Sequence, residues 1–170
     1  MRLKTWLDSD RPDDPEKIIY LDMDGVLTDF NAAFEAIDGK KTTEIEKFGD
    51  PVFWEHVKKG GLRFWSHMPW MKDGRTLWNY VRDKNVEILS APARALPDSV
   101  KGKKIWVNRE LGSVKLNLKR AREKQEFAHN RAILIDDKKK NIDRWKAAGG
   151  LAIHHTSAMK TIKKLKEYGV

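Results

Sequence analysis

Three short apolar runs, each ending in residues that can do chemistry, constrain this chain more than any other feature. Residues 18–21 end at Asp22, residues 86–89 end at Ser90-Ala91-Pro92, and residues 132–135 end at Asp136-Asp137. Each run is short, continuous and bounded by charge, the pattern of strands buried on both faces. Residues 151–153 read as a further strand, and 114–118 as a short one. Helical spacing appears between them, at 76–83, at 98–111 up to Gly112, and at 141–148 closed by Gly149-Gly150. A basic terminal helix over 157–168 starts at a Ser157 cap, and 119–127 is helical or irregular. Strands alternating with helices predict an α/β fold, a parallel sheet with helices on both faces. Ligands of such sheets bind outside the carboxyl ends of the strands, so Asp22, Ser90 and Asp136 are expected at one edge.

The stretch 30–72 has a different texture. Phe30, Phe34 and Ile37 are spaced for a helix face, followed by Phe48, Phe53, Trp54, Phe64, Trp65 and Trp70 with Pro51, Gly60-Gly61 and Pro69 as breaks. It reads as a small helical cap inserted after the first strand. The predicted division is an arm over 1–16, a core over 17–29 and 73–170, and the cap over 30–72. Phe30 is expected in the core.

Asp22 and Asp24 are two carboxylates two residues apart, just past a strand. One such group can act as a nucleophile and the other as a proton donor while both lie near one cation. Carboxylate nucleophiles form aspartyl-phosphates. The charge of a phosphate needs neutralising, which Mg²⁺ held by hard oxygen ligands does, and Asp136 and Asp137 supply more such ligands. A lone Asp-x-Asp is ordinarily a loop cap. Two acidic pairs, each after a buried apolar run, are not.

Asp22-Met23-Asp24-Gly25-Val26-Leu27 resembles the first motif of the haloacid dehalogenase-like (HAD) hydrolases in its phosphatase form. Ile88-Leu89-Ser90 looks like the second motif and Leu134-Ile135-Asp136-Asp137 like the fourth, in the right order. Continuation through Thr28-Asp29-Phe30, Ser90-Ala91-Pro92, the segment 106–112 and Asn141-Ile142 resembles the 5′(3′)-deoxyribonucleotidase branch of phages and bacteria. The resemblance runs over about residues 18–153 and implies a Rossmann-like core with these roles. Asp22 attacks phosphorus; Asp24 protonates the leaving alcohol and then activates water. Mg²⁺ is held by Asp22, by the backbone carbonyl of Asp24, and by Asp136 or Asp137. Ser90 and neighbouring amides, including Ala91, bind phosphate. The lysine of the third motif is best matched by Lys124, with Lys115 and Lys119 as alternatives.

The expected substrate is a nucleoside monophosphate, deoxy forms included, with Phe53 or Trp65 stacking on the base. Arg94 is a candidate for a second phosphate or the base, or a plain surface residue. The formal charge of +9 keeps a phosphatase for nucleic-acid ends, or for small phosphometabolites, as the alternative. Oligomeric state, monomer or homodimer, is open. With 40% hydrophobic and 35% charged residues, no cysteine and no spanning-length apolar run, the chain reads as cytoplasmic, without membrane partners, disulfides or thiolate metal sites. The five histidines lack zinc-ligand spacing and no Walker-type glycine loop is present.

Overall fold

The computed structural model describes residues 17–93 and 96–170; the lead-in 1–16 and Arg94 lie outside the described residues. The elements run β1 (Ile18–Leu21), α1 (Phe30–Asp38), α2 (Thr42–Glu46), α3 (Asp50–Lys59), α4 (Gly61–Ser66), α5 (Gly74–Val81), β2 (Val86–Ser90), α6 (Pro97–Leu111) and β3 (Leu116–Leu118). A 3₁₀ helix (Ala121–Phe127), β4 (Ala132–Asp136), α7 (Lys139–Ala147), β5 (Leu151–His154) and α8 (Ala158–Glu167) complete it. The sheet order is β3-β2-β1-β4-β5 and all four pairings are parallel. The predicted strand at 114–118 is thus shorter, and the ambiguous 119–127 segment is 3₁₀ over Ala121–Phe127.

Side chains on a strand alternate faces, and here both faces find apolar cover. Ile19, Leu21, Ile88, Ile133, Ile135 and Ile153 join a cluster with Leu77 and Val81 of α5, Trp106 of α6 and Leu165 of α8. Tyr20, Leu89, Ala132, Leu134 and Ala152 turn the other way, onto Ile142 and Trp145 of α7. Trp145 is fixed there by its indole donating to Ala132 O at 3.2 Å.

The helices after β1 do not core by themselves. Phe34, Val57, Phe64 and Trp65 belong to the same buried cluster as the sheet residues. α4 sits on α6, where Gly102 leaves space: a Cβ there would fall on the Trp65 side chain and lie 2.9 Å from Ser66 N. Gly102→Ala is therefore expected to cost about 1–3 kcal/mol through overpacking. A lowered midpoint at unchanged slope in urea unfolding is the readout. Trp106 pins the following loop by donating to Met68 O at 2.9 Å. No helix among the described residues is long and apolar enough to cross a membrane.

Candidate active site

Chain order in the sheet places β2 on one side of β1 and β4 on the other, so the path reverses between β1 and β4. That crevice is where ligands of open α/β sheets bind. Asp22 and Asp136 flank it. The amide of Asp22 still pairs with Ile135 O at 3.0 Å, which fixes the carboxylate at the end of the ladder. Next comes a tight loop in which Met23 O accepts from the amides of Val26, Leu27 and Thr28. Gly25 permits it at φ 81°. A Cβ on Gly25 would land on the Asp137 carboxylate. Gly25→Ala should destabilise the fold by about 1–3 kcal/mol and weaken divalent-cation binding at Asp137. Thermal melts with and without Mg²⁺ check both effects.

Lys124, 3% exposed, reaches from the 3₁₀ helix to both strand-end acids. Its Nζ lies 2.9 Å from Asp22 Oδ1 and 2.8 Å from Asp136 Oδ2. Lys115 points away, to Glu87 at 3.2 Å. Asn141 Nδ2 also donates to Asp136 Oδ2 at 2.9 Å, and the amide of Lys138 donates to Asp136 Oδ1 at 2.8 Å. Both oxygens of Asp136 are thus engaged. Asp137 differs: its Oδ1 is buried and has no hydrogen-bond partner among the described residues.

The electrostatics follow from two acids sharing one lysine. Burial, with Asp136 and Asp24 adding to it, outweighs the pull of Lys124 and pushes the Asp22 carboxyl up to about 7. Lys124 is desolvated too, yet two facing anions hold its ammonium up at about 12. Burial also raises Asp137, with Asp136 adding and Lys138 opposing. One oxygen each of Asp22, Asp136 and Asp137 lie within 4.8 Å of one another. An all-oxygen donor set, an orphaned buried oxygen and crowded carboxylates fit a hard divalent cation such as Mg²⁺.

Asp24 stands apart from this cluster. Its Oδ1 accepts from Thr28 Oγ1 at 2.9 Å and its Oδ2 pairs with Lys103 Nζ at 2.7 Å. Lys103 is fully buried and donates also to Ser90 Oγ (2.8 Å) and Ala91 O (3.0 Å), which uses all three ammonium hydrogens. It links the ends of β1 and β2. Sequence reading missed it, although a signal exists. Ser99, Gly102, Lys103, Trp106 and Val107 form one buried stripe of α6, and Lys103 is the charged residue in it.

Two cavities open beside Asp24. One, of about 540 Å³, is lined by Phe30, Trp54, Trp65, Pro92 and three arginines, Arg120, Arg122 and Arg144. The other, of about 500 Å³, includes Phe30, Phe53, Trp54, Asp137 and Lys138. Phe30 therefore lines both cavities, half-buried, rather than lying inside the core. It is the first residue of α1, just after the Asp29 cap, where a side chain overhangs the strand ends. Trp65 forms a wall but is 3% exposed, tucked against α6. Trp54 contributes to both cavities.

Solved structures similar to this chain include two hydrolases. A hydrolase from Streptococcus pneumoniae TIGR4 superposes with a TM-score of 0.56 at 17% identity, over 88% of this chain and 97% of that one. A haloacid dehalogenase-like family hydrolase from Xanthomonas campestris gives 0.53 at 13% identity, over 90% and 97%. At these identities the likeness is one of fold: the Rossmann-like α/β architecture of HAD-type hydrolases. No family model matches the sequence, and no curated protein does.

Proposed function

We propose that this chain is a Mg²⁺-dependent phosphomonoesterase that forms an aspartyl-phosphate on Asp22 and acts on nucleoside monophosphates, deoxy forms included. The observation that carries the reading is the pairing of Asp22 with the buried Lys124, beside Asp137, whose buried oxygen has no partner among the described residues. Asp22, Asp136 and Asp137 would hold the cation, with the Asp24 carbonyl; bound there, it neutralises phosphate charge.

The remaining steps belong to the chain's own groups. An Asp22 carboxylate oxygen attacks phosphorus as the bond from phosphorus to the leaving oxygen breaks. Lys124 offsets the charge on that carboxylate and on the phosphoryl oxygens. Asp24 delivers a proton to the departing alkoxide. It then takes one from the water that opens the acyl phosphate and releases inorganic phosphate. Lys103 holds Asp24 and Ser90 in fixed relation through these steps. Ser90 and the amides after it receive phosphate oxygens. The helices after β1 cover the strand ends and exclude water, with Trp54, Phe53 and the edge of Trp65 offering surfaces for a base.

A phosphate-release screen across nucleoside monophosphates, sugar phosphates and oligonucleotides, with Mg²⁺ or a chelator, tests this reading. Mg²⁺-dependent release, fastest on nucleotides, is expected. Equal release with excess chelator, or sugar phosphates turned over fastest, would overturn the metal or the nucleotide part respectively.

A further inference from the structure

The cavity of about 540 Å³ carries more positive charge than a single scissile phosphate at Asp22 needs. Arg120 and Arg122 come from the start of the 3₁₀ helix, and Arg144 comes from α7. Arg120 is partly spoken for, 3.6 Å from Glu123. Arg122 and Arg144 have no carboxylate partner among the described residues. Asp24 is the one carboxylate on the cavity wall among the described residues, and Lys103 already pairs with it at 2.7 Å. Guanidinium groups from separate elements, facing a space with aromatic walls, suit a planar base followed by an anion. The volume lies within the ~300–1,000 Å³ of small-molecule sites. A nucleoside with one phosphate at Asp22 leaves these arginines unmatched.

We infer that the substrate bears a second phosphate, beyond the one removed, which Arg122 and Arg144 bind across this cavity. This deepens the nucleotide reading above and rests on it. The second phosphate can be the terminal group of a nucleoside 3′,5′-bisphosphate or the internal diester of a 5′-phosphorylated oligonucleotide. Both present anionic oxygens to a guanidinium fork.

The test compares kcat/KM for a nucleoside 5′-monophosphate, the matching 3′,5′-bisphosphate and the matching 5′-phosphorylated dinucleotide. It uses the wild type and an Arg122→Met/Arg144→Met double variant. The wild type should prefer a second phosphate by on the order of tenfold to a hundredfold. In the double variant the ratio of bisphosphate to monophosphate rates should fall towards one. A preference for the bisphosphate alone assigns a terminal phosphate; a preference shared by the dinucleotide assigns a diester. Equal wild-type rates on all three substrates, or a preference that survives in the double variant, would overturn the inference and leave the phosphatase reading standing. Binding of the same three ligands to Asp22→Asn separates the converse case. No turnover of any of the three by the wild type, with tighter binding of the bisphosphate by Asp22→Asn that the arginine changes abolish, would sink the phosphatase reading and keep the second-phosphate site.

Discussion

Asp22→Asn should remove Mg²⁺-dependent phosphate release, by on the order of 10³-fold or more, because an amide cannot form the acyl phosphate. The same variant should fold. Asn has nearly the shape of Asp, and it relieves a crowded site rather than breaking a needed pair, since Lys124 keeps Asp136. The pH dependence of metal-free stability distinguishes the two proteins. The Asp22 carboxyl is raised to about 7 in the fold, against the ordinary value of 3.8 when unfolded. The folded state therefore binds the proton more tightly. The stability from this group is fully present below about 4 and is lost as pH rises through about 7. With chelator present, the wild-type Tm should fall over that window while Asp22→Asn falls less. Added Mg²⁺ should raise the wild-type Tm most at the upper end. Equal pH profiles in the two proteins would contradict the burial argument.

The second large effect is on folding. Lys124→Met leaves Asp22 and Asp136 facing each other, both buried, without the ammonium they share. Removing one partner of a buried ionic group costs about 3–5 kcal/mol. For a chain of this length that is a Tm drop of roughly 10 °C. Proton uptake by one carboxyl limits the loss, so the drop should be larger at pH 8 than at pH 5. Mg²⁺ should restore part of the stability by supplying another positive charge, but phosphate release should stay impaired. A Tm unchanged at pH 8 without metal would show that Lys124 does not hold the two acids together.

How much of this was legible in the sequence varies with the physical signal. The strands were, because a buried parallel strand must be apolar on both faces; β1 occupies the predicted residues, and β2 and β4 each run one residue further, into Ser90 and Asp136. Convergence of Asp22 and Asp136 followed from parallel topology, whereas Lys124, on the 3₁₀ helix, was matched only through the family resemblance. Lys103 was hidden by its neighbours: Lys101, Lys103 and Lys104 look alike in sequence, and only the phase shared with Trp106 puts one of them inside. The difference between Asp136 and Asp137 depends on Asn141 and the Lys138 amide folding back over the first acid. No pattern in the chain announces that. The arginine cavity joins residues more than twenty positions apart on α7 and the 3₁₀ helix, a tertiary fact with no local spacing.

Direct trapping of the covalent intermediate tests the account most plainly. Wild-type protein turning over a nucleoside 5′-monophosphate with Mg²⁺ is quenched in acid within a single turnover. Borohydride reduction converts an acyl phosphate to an alcohol, and peptide mass spectrometry locates it. The account predicts reduction at position 22 and nowhere else, absent when substrate or Mg²⁺ is omitted. Phosphate released at the full rate with position 22 unmodified, or with the modification at another carboxylate, would contradict it.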